Sequence, residues 1–227
     1  MKPIRVLIGC EESQELTVRF RELGFECYSC DLKPAKKNPK WHLQCSIFDV
    51  INDNWDLGIF HPPCTRLTVT ANKWYKPEYK NRFPNIHVER KEAIDFFMKI
   101  VNCSIPHFGI ENPIGIMSSI YRKPDQIIQP FFFGDTERKA TCLWLKNLPK
   151  LVHIKNNDLF FTKTHTTPEI ITFKSGATMS KCHYESAKLS KELRSETRSK
   201  TFPGIADAIA NQWGNYLLEK QKQLAEI

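Results

Sequence analysis

Short apolar runs alternate along this chain with stretches in which apolar positions recur every three or four residues. PIRVLIG (3–9) is apolar and β-branched, which predicts a buried strand. SQELTVRFRELG (13–24) puts Leu16, Phe20 and Leu23 at helical spacing, with Ser13 as its cap and Gly24 as its stop. FECYSCD (25–31) predicts a second strand, KPAKKNPK (33–40) a basic loop, and LQCSIFDV (43–50) a short strand or turn ending near Asp49. WDLGIFH (55–61) reads as a strand. HVERKEAIDFFMKIVNC (87–103) is a helix with Ala93, Phe96, Phe97, Ile100 and Val101 on one side. HFGIEN (107–112), IIQPFFF (127–133) and TCLWLK (141–146) read as later strands, and GIADAIANQWGNYLLEKQKQ (204–223) as the last helix. Strands alternating with helices predict an α/β fold, a mostly parallel sheet covered on both faces. Residues 150–200 break the rhythm, being polar, irregular and rich in Lys, Thr and Ser, and read as an inserted lobe or long loops.

Composition narrows the class. The 227 residues are 41% hydrophobic and 26% charged, the balance of a globular chain with one sizeable core. No apolar run approaches the ~18 residues of a membrane helix. The N-terminus turns acidic too soon for a secretion signal, so the expected location is cytoplasmic. Eight scattered cysteines are then expected as thiols. Cys27 and Cys30 form a C-x-x-C inside a predicted strand, without the second pair that a zinc site needs, and no metal is expected. A net charge of +8 favours a polyanionic or phosphorylated partner.

Candidate chemistry lies where strands end. The first strand runs into IGCEES (8–13), and the second ends in Asp31. In a nucleotide-binding α/β fold the first turn cradles a ligand and an acid after the second strand takes ribose hydroxyls. Glu11 and Glu12 would repel a pyrophosphate, so a cationic, phosphate-free nucleoside such as S-adenosylmethionine fits better. Asp49 can accept from an adenine amino group or cap a helix. HPPC (61–64) and IENP (110–113) each bring a strand into a polar group and proline. Parallel strands would open Cys64 and Glu111 onto one edge. A thiolate adds to C6 of a pyrimidine, and an acid that holds or protonates N3 turns C5 into a carbon nucleophile. NKWYKPEYKNRF (72–83) mixes cations with aromatics, as phosphate contact and base stacking require. SAKLSKELRSETRSK (186–200) reads as a solvated basic helix face, and His165 as a surface residue.

These residues resemble the DNA cytosine-C5 methyltransferases, and among them a compact phage-encoded group in which YRKPDQIIQPFFFG (121–134) is typical. IGCEESQELTVRFRELGFECYSCD resembles the family's cofactor motif, DLGIFHPPCTRLT its nucleophile strand and GIENP its E-N-V motif. FFFGDTERKATCLWL resembles the arginine-bearing segment, and TFPGIADAIANQWGNYL the C-terminal motif that completes the cofactor pocket.

The resemblance implies a Rossmann-like S-adenosylmethionine-dependent methyltransferase fold with a seven-stranded sheet. It implies a core over 1–149, a reduced target-recognition or insertion segment over 150–200, and a C-terminal helix over 201–227 that returns to the core. Cys64 is then the nucleophile, Glu111 the base-binding acid, Asn112 its orienter and Arg138 the arginine of the later motif. The cofactor residues are Gly9, Cys10, Glu11, Asp31, Leu32, Asp49 and Pro62, and Pro63, Arg66, Lys73 and Trp74 face the substrate. The implied activity is C5-methylation of cytosine in DNA, on a flipped or unpaired base, in the host cytoplasm if phage-encoded. The alternatives are methylation of a free nucleotide such as dCMP, and an inactive nucleic-acid-binding module. Three departures stand out: IGCEES replaces F-x-G-x-G, Lys139 and Ala140 follow Arg138 where a second arginine is usual, and the recognition lobe shrinks to about fifty residues.

Overall fold

The computed structural model describes residues 2–153 and 165–226. Positions 154–164 of the irregular segment lie outside the described residues. The strands are β1 (Arg5–Gly9), β2 (Glu26–Cys30), β3 (His42–Leu43), β4 (Leu57–Phe60), β5 (His107–Pro113), β6 (Gln126–Ile128) and β7 (Thr141–Lys146). They form one sheet in the order β3-β2-β1-β4-β5-β7-β6. β1 to β5 pair in parallel, while β7 runs antiparallel to both of its neighbours. The expected mostly parallel, seven-stranded α/β sheet is therefore present. The order reverses beside β1, and in such a sheet the crevice at the carboxyl ends of the strands is the ligand side.

Helices cover both faces because the central strands are buried on both. On one face lie α1 (Glu15–Glu22) and α7 (Pro203–Ala225), packed on Val6, Ile8, Ile59, Leu143 and Leu145. Trp213 of α7 is fully buried and sits where a Cβ on Gly109 would come within 2.7 Å of its ring. On the other face lie α2 (Ile47–Val50), α3 (Ile86–Val101) and α4 (Met117–Ile120), against Leu7, Phe60, Phe108, Ile110 and Trp144. Phe97 and Ile100 of α3 are buried there, as the helical spacing predicted.

Residues 165–200 contribute a hairpin, β8 (Ile170–Thr172) with β9 (Thr178–Ser180), then α5 (Lys181–Ser186) and α6 (Lys191–Ser199). Backbone bonds from Thr166 to Phe131 and from Glu169 to Thr136 fasten this part to the turn after β6.

Local readings needed correction at four places. Ser13 does not cap α1. Gln14 holds the cap position at φ 57° without a side-chain bond, and Glu11 takes the first N–H groups instead. Asp49 does not end a strand or turn; it closes a capping box with Ser46 at the start of α2. IIQPFFF is a strand only to Ile128, because Pro130 begins a 3-10 turn that Gly134 ends at φ 97°. His165 is not a lone surface residue: its Nε2 lies 2.8 Å from Nδ1 of His153, and its ring stacks on Phe132.

Candidate active site

β4 and β5 run side by side with Phe60 opposite Ile110. One step onward along each strand, His61 comes beside Glu111 and Pro62 beside Asn112. Side chains alternate along strands, so His61 shares the α1–α7 face with Ile59, and Glu111 shares it with Gly109. The contact follows: Nδ1 of His61 lies 3.1 Å from Oε2 of Glu111. Asn112 faces the opposite way and donates from Nδ2 to the Pro62 carbonyl at 2.9 Å. The strand carrying the acid thereby holds the Pro-Pro step from which Cys64 hangs.

A second set of bonds fixes the other end of that loop. The Cys64 carbonyl accepts from the N–H groups of Leu67 (2.9 Å) and Thr68 (3.1 Å), closing a turn. Ile116 then donates to the Leu67 carbonyl at 2.8 Å and Val69 to the Ile114 carbonyl at 3.2 Å. Only glycine fits between them, since a Cβ at Gly115 would fall 2.1 Å from the Leu67 oxygen. Cys64 is half-buried in this frame.

The electrostatics of the cluster are coherent. Burial pushes the Cys64 thiol up and Glu111 adds to that; Lys139 and the local backbone pull the other way without cancelling it. Cys64 therefore rests as a thiol. Burial alone would raise the Glu111 carboxyl, but His61 and Lys139 outweigh it and hold the group below the usual carboxylate range. For His61, burial disfavours the cation, yet Glu111 and Glu11 hold its pKa above the ordinary value against Lys139. Within the pair the proton is therefore held by His61 in preference to Glu111. Nδ1 of His61 faces Oε2 of Glu111, while Nε2 of His61 is buried without a hydrogen-bond partner.

Arg138 is exposed, and its neighbour Lys139 is the cation whose field reaches Cys64, Glu111 and His61. Lys139 Nζ donates to the Arg198 carbonyl at 2.9 Å and lies 5.6 Å from the Phe202 ring centroid.

The remaining residues named from the sequence divide by neighbourhood. Gly9 ends β1, and a Cβ there would meet Phe60 at 2.5 Å and Ile47 at 2.9 Å. Cys10 follows at φ 61°, donates to the Cys30 carbonyl at 2.7 Å, and has its thiol pushed up to about 12 by burial and by Asp31. Glu11 is buried, and its two oxygens take the N–H groups of Leu16 and Thr17 and the Thr17 hydroxyl, so it shapes the turn as the cap of α1. Asp31 accepts from the Lys33 N–H at 3.0 Å, and Leu32 beside it is 74% exposed. Asp49 accepts from the Ser46 N–H at 3.2 Å. Pro62 is buried and Pro63 exposed. Arg66 pairs with Glu89, which ties it to α3. Lys73 lies 4.4 Å from the Trp74 ring centroid, and Trp74 packs edge-on against Tyr79 and Phe83.

Three residues at the site escaped sequence reasoning. His61 stands inside HPPC, and only the β4–β5 register reveals its neighbour. Lys139 stands one residue past the arginine that the motif suggested. Gln14 carries no motif signal, yet its amide accepts from Asn38 N–H (2.6 Å) and donates to the Asn38 carbonyl (2.9 Å), pinning the basic loop over β2. That loop also reaches Glu12 through Lys33 (3.1 Å) and Lys36 (3.2 Å). Among the described residues, no group of three or more His, Cys, Asp or Glu is placed to hold a metal ion.

No family model and no curated protein matches the chain. Solved structures do. One is a candidate DNA modification methyltransferase encoded within a prophage of E. coli, 15% identical over 63% of this chain, with a TM-score of 0.42. Another is a methyltransferase of Entamoeba histolytica, 14% identical over 75% of this chain, with a TM-score of 0.41. This chain spans 46% and 59% of those two. At such scores the likeness carries no functional inference.

Proposed function

We propose that this chain transfers a methyl group from S-adenosylmethionine to C5 of cytosine in DNA, through a covalent bond between Cys64 and C6. The observation that carries the reading is the β4–β5 register, which sets the Cys64 loop and Glu111 at adjoining strand ends on the ligand side of the sheet. Pro-Pro stiffens the loop, and the Asn112 amide and the Gly115 contact hold it to the strand that bears the acid.

The residues around β1 to β3 fit the cofactor. Asp31 would take the ribose hydroxyls, the exposed Leu32 offers an apolar face to a flat base, and Asp49 would accept from the adenine amino group. Both acids of the turn are already engaged, Glu12 by Lys33 and Lys36 and Glu11 as the helix cap. When bound, S-adenosylmethionine supplies an electrophilic methyl on a sulfonium centre.

The chain's own residues prepare the ring. The sulfur of Cys64 bonds C6 while the Glu111 carboxyl holds N3, and electron density moves to C5. The Glu111 carboxyl, whose Oε2 faces His61, is an acceptor for the amino group that cytosine has and uracil lacks. After methylation, loss of the C5 proton and expulsion of the sulfur restore the ring. Lys73, Trp74 and the aromatic residues around them would receive the strand beside a base taken out of its stack.

The test is transfer of radiolabelled methyl to duplex DNA, single-stranded DNA, RNA and dCMP, by wild type and Cys64→Ala, with mass spectrometry of the product nucleosides. Label entering DNA as 5-methylcytosine and vanishing in the variant is the expected result. Label in dCMP alone would assign the chain to nucleotide chemistry. No label together with no S-adenosylmethionine binding would sink the enzymatic reading.

A further inference from the structure

We propose that His61 is the proton partner of Glu111, the residue that supplies through the Glu111 carboxyl the proton that N3 of the target pyrimidine takes up as Cys64 adds to C6. This inference rests on the function proposed above. Two observations carry it. The side chains meet at 3.1 Å across adjoining strand ends, and Nε2 of His61 is buried without a hydrogen-bond partner. A histidine serving only to pack the core would have both ring nitrogens matched.

Charges from three other elements bear on the ring. Glu111 of β5 and Glu11 of the β1–α1 turn favour its cationic form, and Lys139 of the segment before β7 opposes it. Cys64 of the following loop feels Lys139 and Glu111. In the resting site the hydrogen therefore belongs to the imidazole and not to the carboxylate. An ionised Glu111 has no hydrogen of its own to give N3.

The step balances as follows. The proton passes from Nδ1 of His61 to Glu111 and from Glu111 to N3. The electron pair of the C5–C6 double bond moves into the ring toward N3 as the sulfur bonds C6. Cys64 enters as a thiol, so its hydrogen leaves to solvent as the new bond forms, and the now neutral imidazole takes up a proton from solvent. The pair ends in the charge state in which it began, and the net change is addition of S–H across C6 and N3. Once C5 carries its methyl, the C5 hydrogen departs as the released proton. The C5–C6 double bond then re-forms, the sulfur leaves, and the N3 proton returns to it by the same route. Hydrogen bonds that are loose in an unliganded site align when the substrate arrives. His61 acts through Glu111 and is a positioning residue in this scheme.

The experiment measures single-turnover methyl transfer by the full chain as wild type, His61→Asn and His61→Gln across neutral to alkaline pH, on whichever substrate the wild type labels. His61→Asn keeps an amide donor where Nδ1 stands but holds no exchangeable charge. The rate should fall about 10²–10⁴-fold, the usual range for losing acid–base assistance, with cofactor and substrate dissociation constants unchanged. The wild-type rate should decline at alkaline pH as His61 loses its proton, and that limb should be absent from His61→Asn. In parallel, NMR titration of labelled histidine should show His61 titrating lower in Glu111→Gln than in wild type, a readout independent of turnover. A near-wild-type rate with the alkaline limb intact in His61→Asn overturns the role of His61, and so does an unmoved titration in Glu111→Gln. Wild type silent on every substrate overturns the proposed function, and the role of His61 with it. An active wild type and an indifferent variant overturn the role of His61 alone.

Discussion

Cys64, Glu111 and His61 owe their relation to one pair of parallel strands, but they were not equally visible beforehand. HPPC and IENP are readable because proline after an apolar run marks a strand end, and strand ends are where such sheets keep chemistry. The pairing of His61 with Glu111 depends on register, and a one-residue slip would turn every side chain to the other face. Lys139 rather than Arg138 reaches the cluster, an offset of one residue that no motif sets. The His61–Glu111 pair also makes stability depend on pH. A raised His61 stabilises the fold fully below its unfolded value of 6.5, and loses that contribution as pH rises through its folded value. A lowered Glu111 contributes above its unfolded value of 4.5, and loses it as pH falls through its folded value. The coupling between His61→Asn and Glu111→Gln should therefore peak between pH 4.5 and 6.5 and shrink on either side. Urea midpoints of wild type, both single variants and the double variant at pH 4, 5.5 and 9 would show this, and a flat coupling would contradict the charged pair.

At the scale of elements, the Cys64 loop is less a loop than an extension of β5. Asn112 grips its start and the Gly115 contact grips its end. Gly115→Ala meets a backbone oxygen at 2.1 Å that has no flexible end to swing away, so the two segments must part. Displacing a reacting group by about 1 Å can cost 10²-fold in rate. A loss of that order in methyl transfer is expected, with S-adenosylmethionine affinity retained because the β1–β3 ends are untouched; calorimetry beside the kinetic assay would check both. Retained activity would mean that the loop does not need its anchor. Periodicity announced α3 and α7 because each is long and one-sided. It could not announce the cap of α1, where a buried glutamate does what the nearby serine suggested, nor the four-residue α2. Elements this short leave no period to read.

For the whole molecule, a mostly parallel sheet covered on both faces is what the alternation of strands and helices predicts, while the strand order and the antiparallel β7 are not set by it. The hairpin and α5 of residues 165–186 were not legible, since that stretch is polar and irregular, whereas the helix read over 186–200 is present as α6. The net charge of +8 belongs to this scale as well. If the substrate is DNA, affinity should fall linearly on logarithmic axes as salt rises, with a slope of about −0.9 for each phosphate neutralised on a duplex. Fluorescence anisotropy of a labelled oligonucleotide at several salt concentrations would measure it, and a flat dependence would argue for a small nucleotide instead. The bonds that join the Cys64 turn to the end of β5 have a consequence for how this chain can be recombined. Residues 61–69 and 110–116 are separated by some forty positions, yet they interlock like two halves of a clasp. A chimera that exchanges one half with a related chain should fail where exchange of both succeeds. The two segments therefore form one unit of inheritance, and homologous shuffling with a breakpoint between them should be selected against.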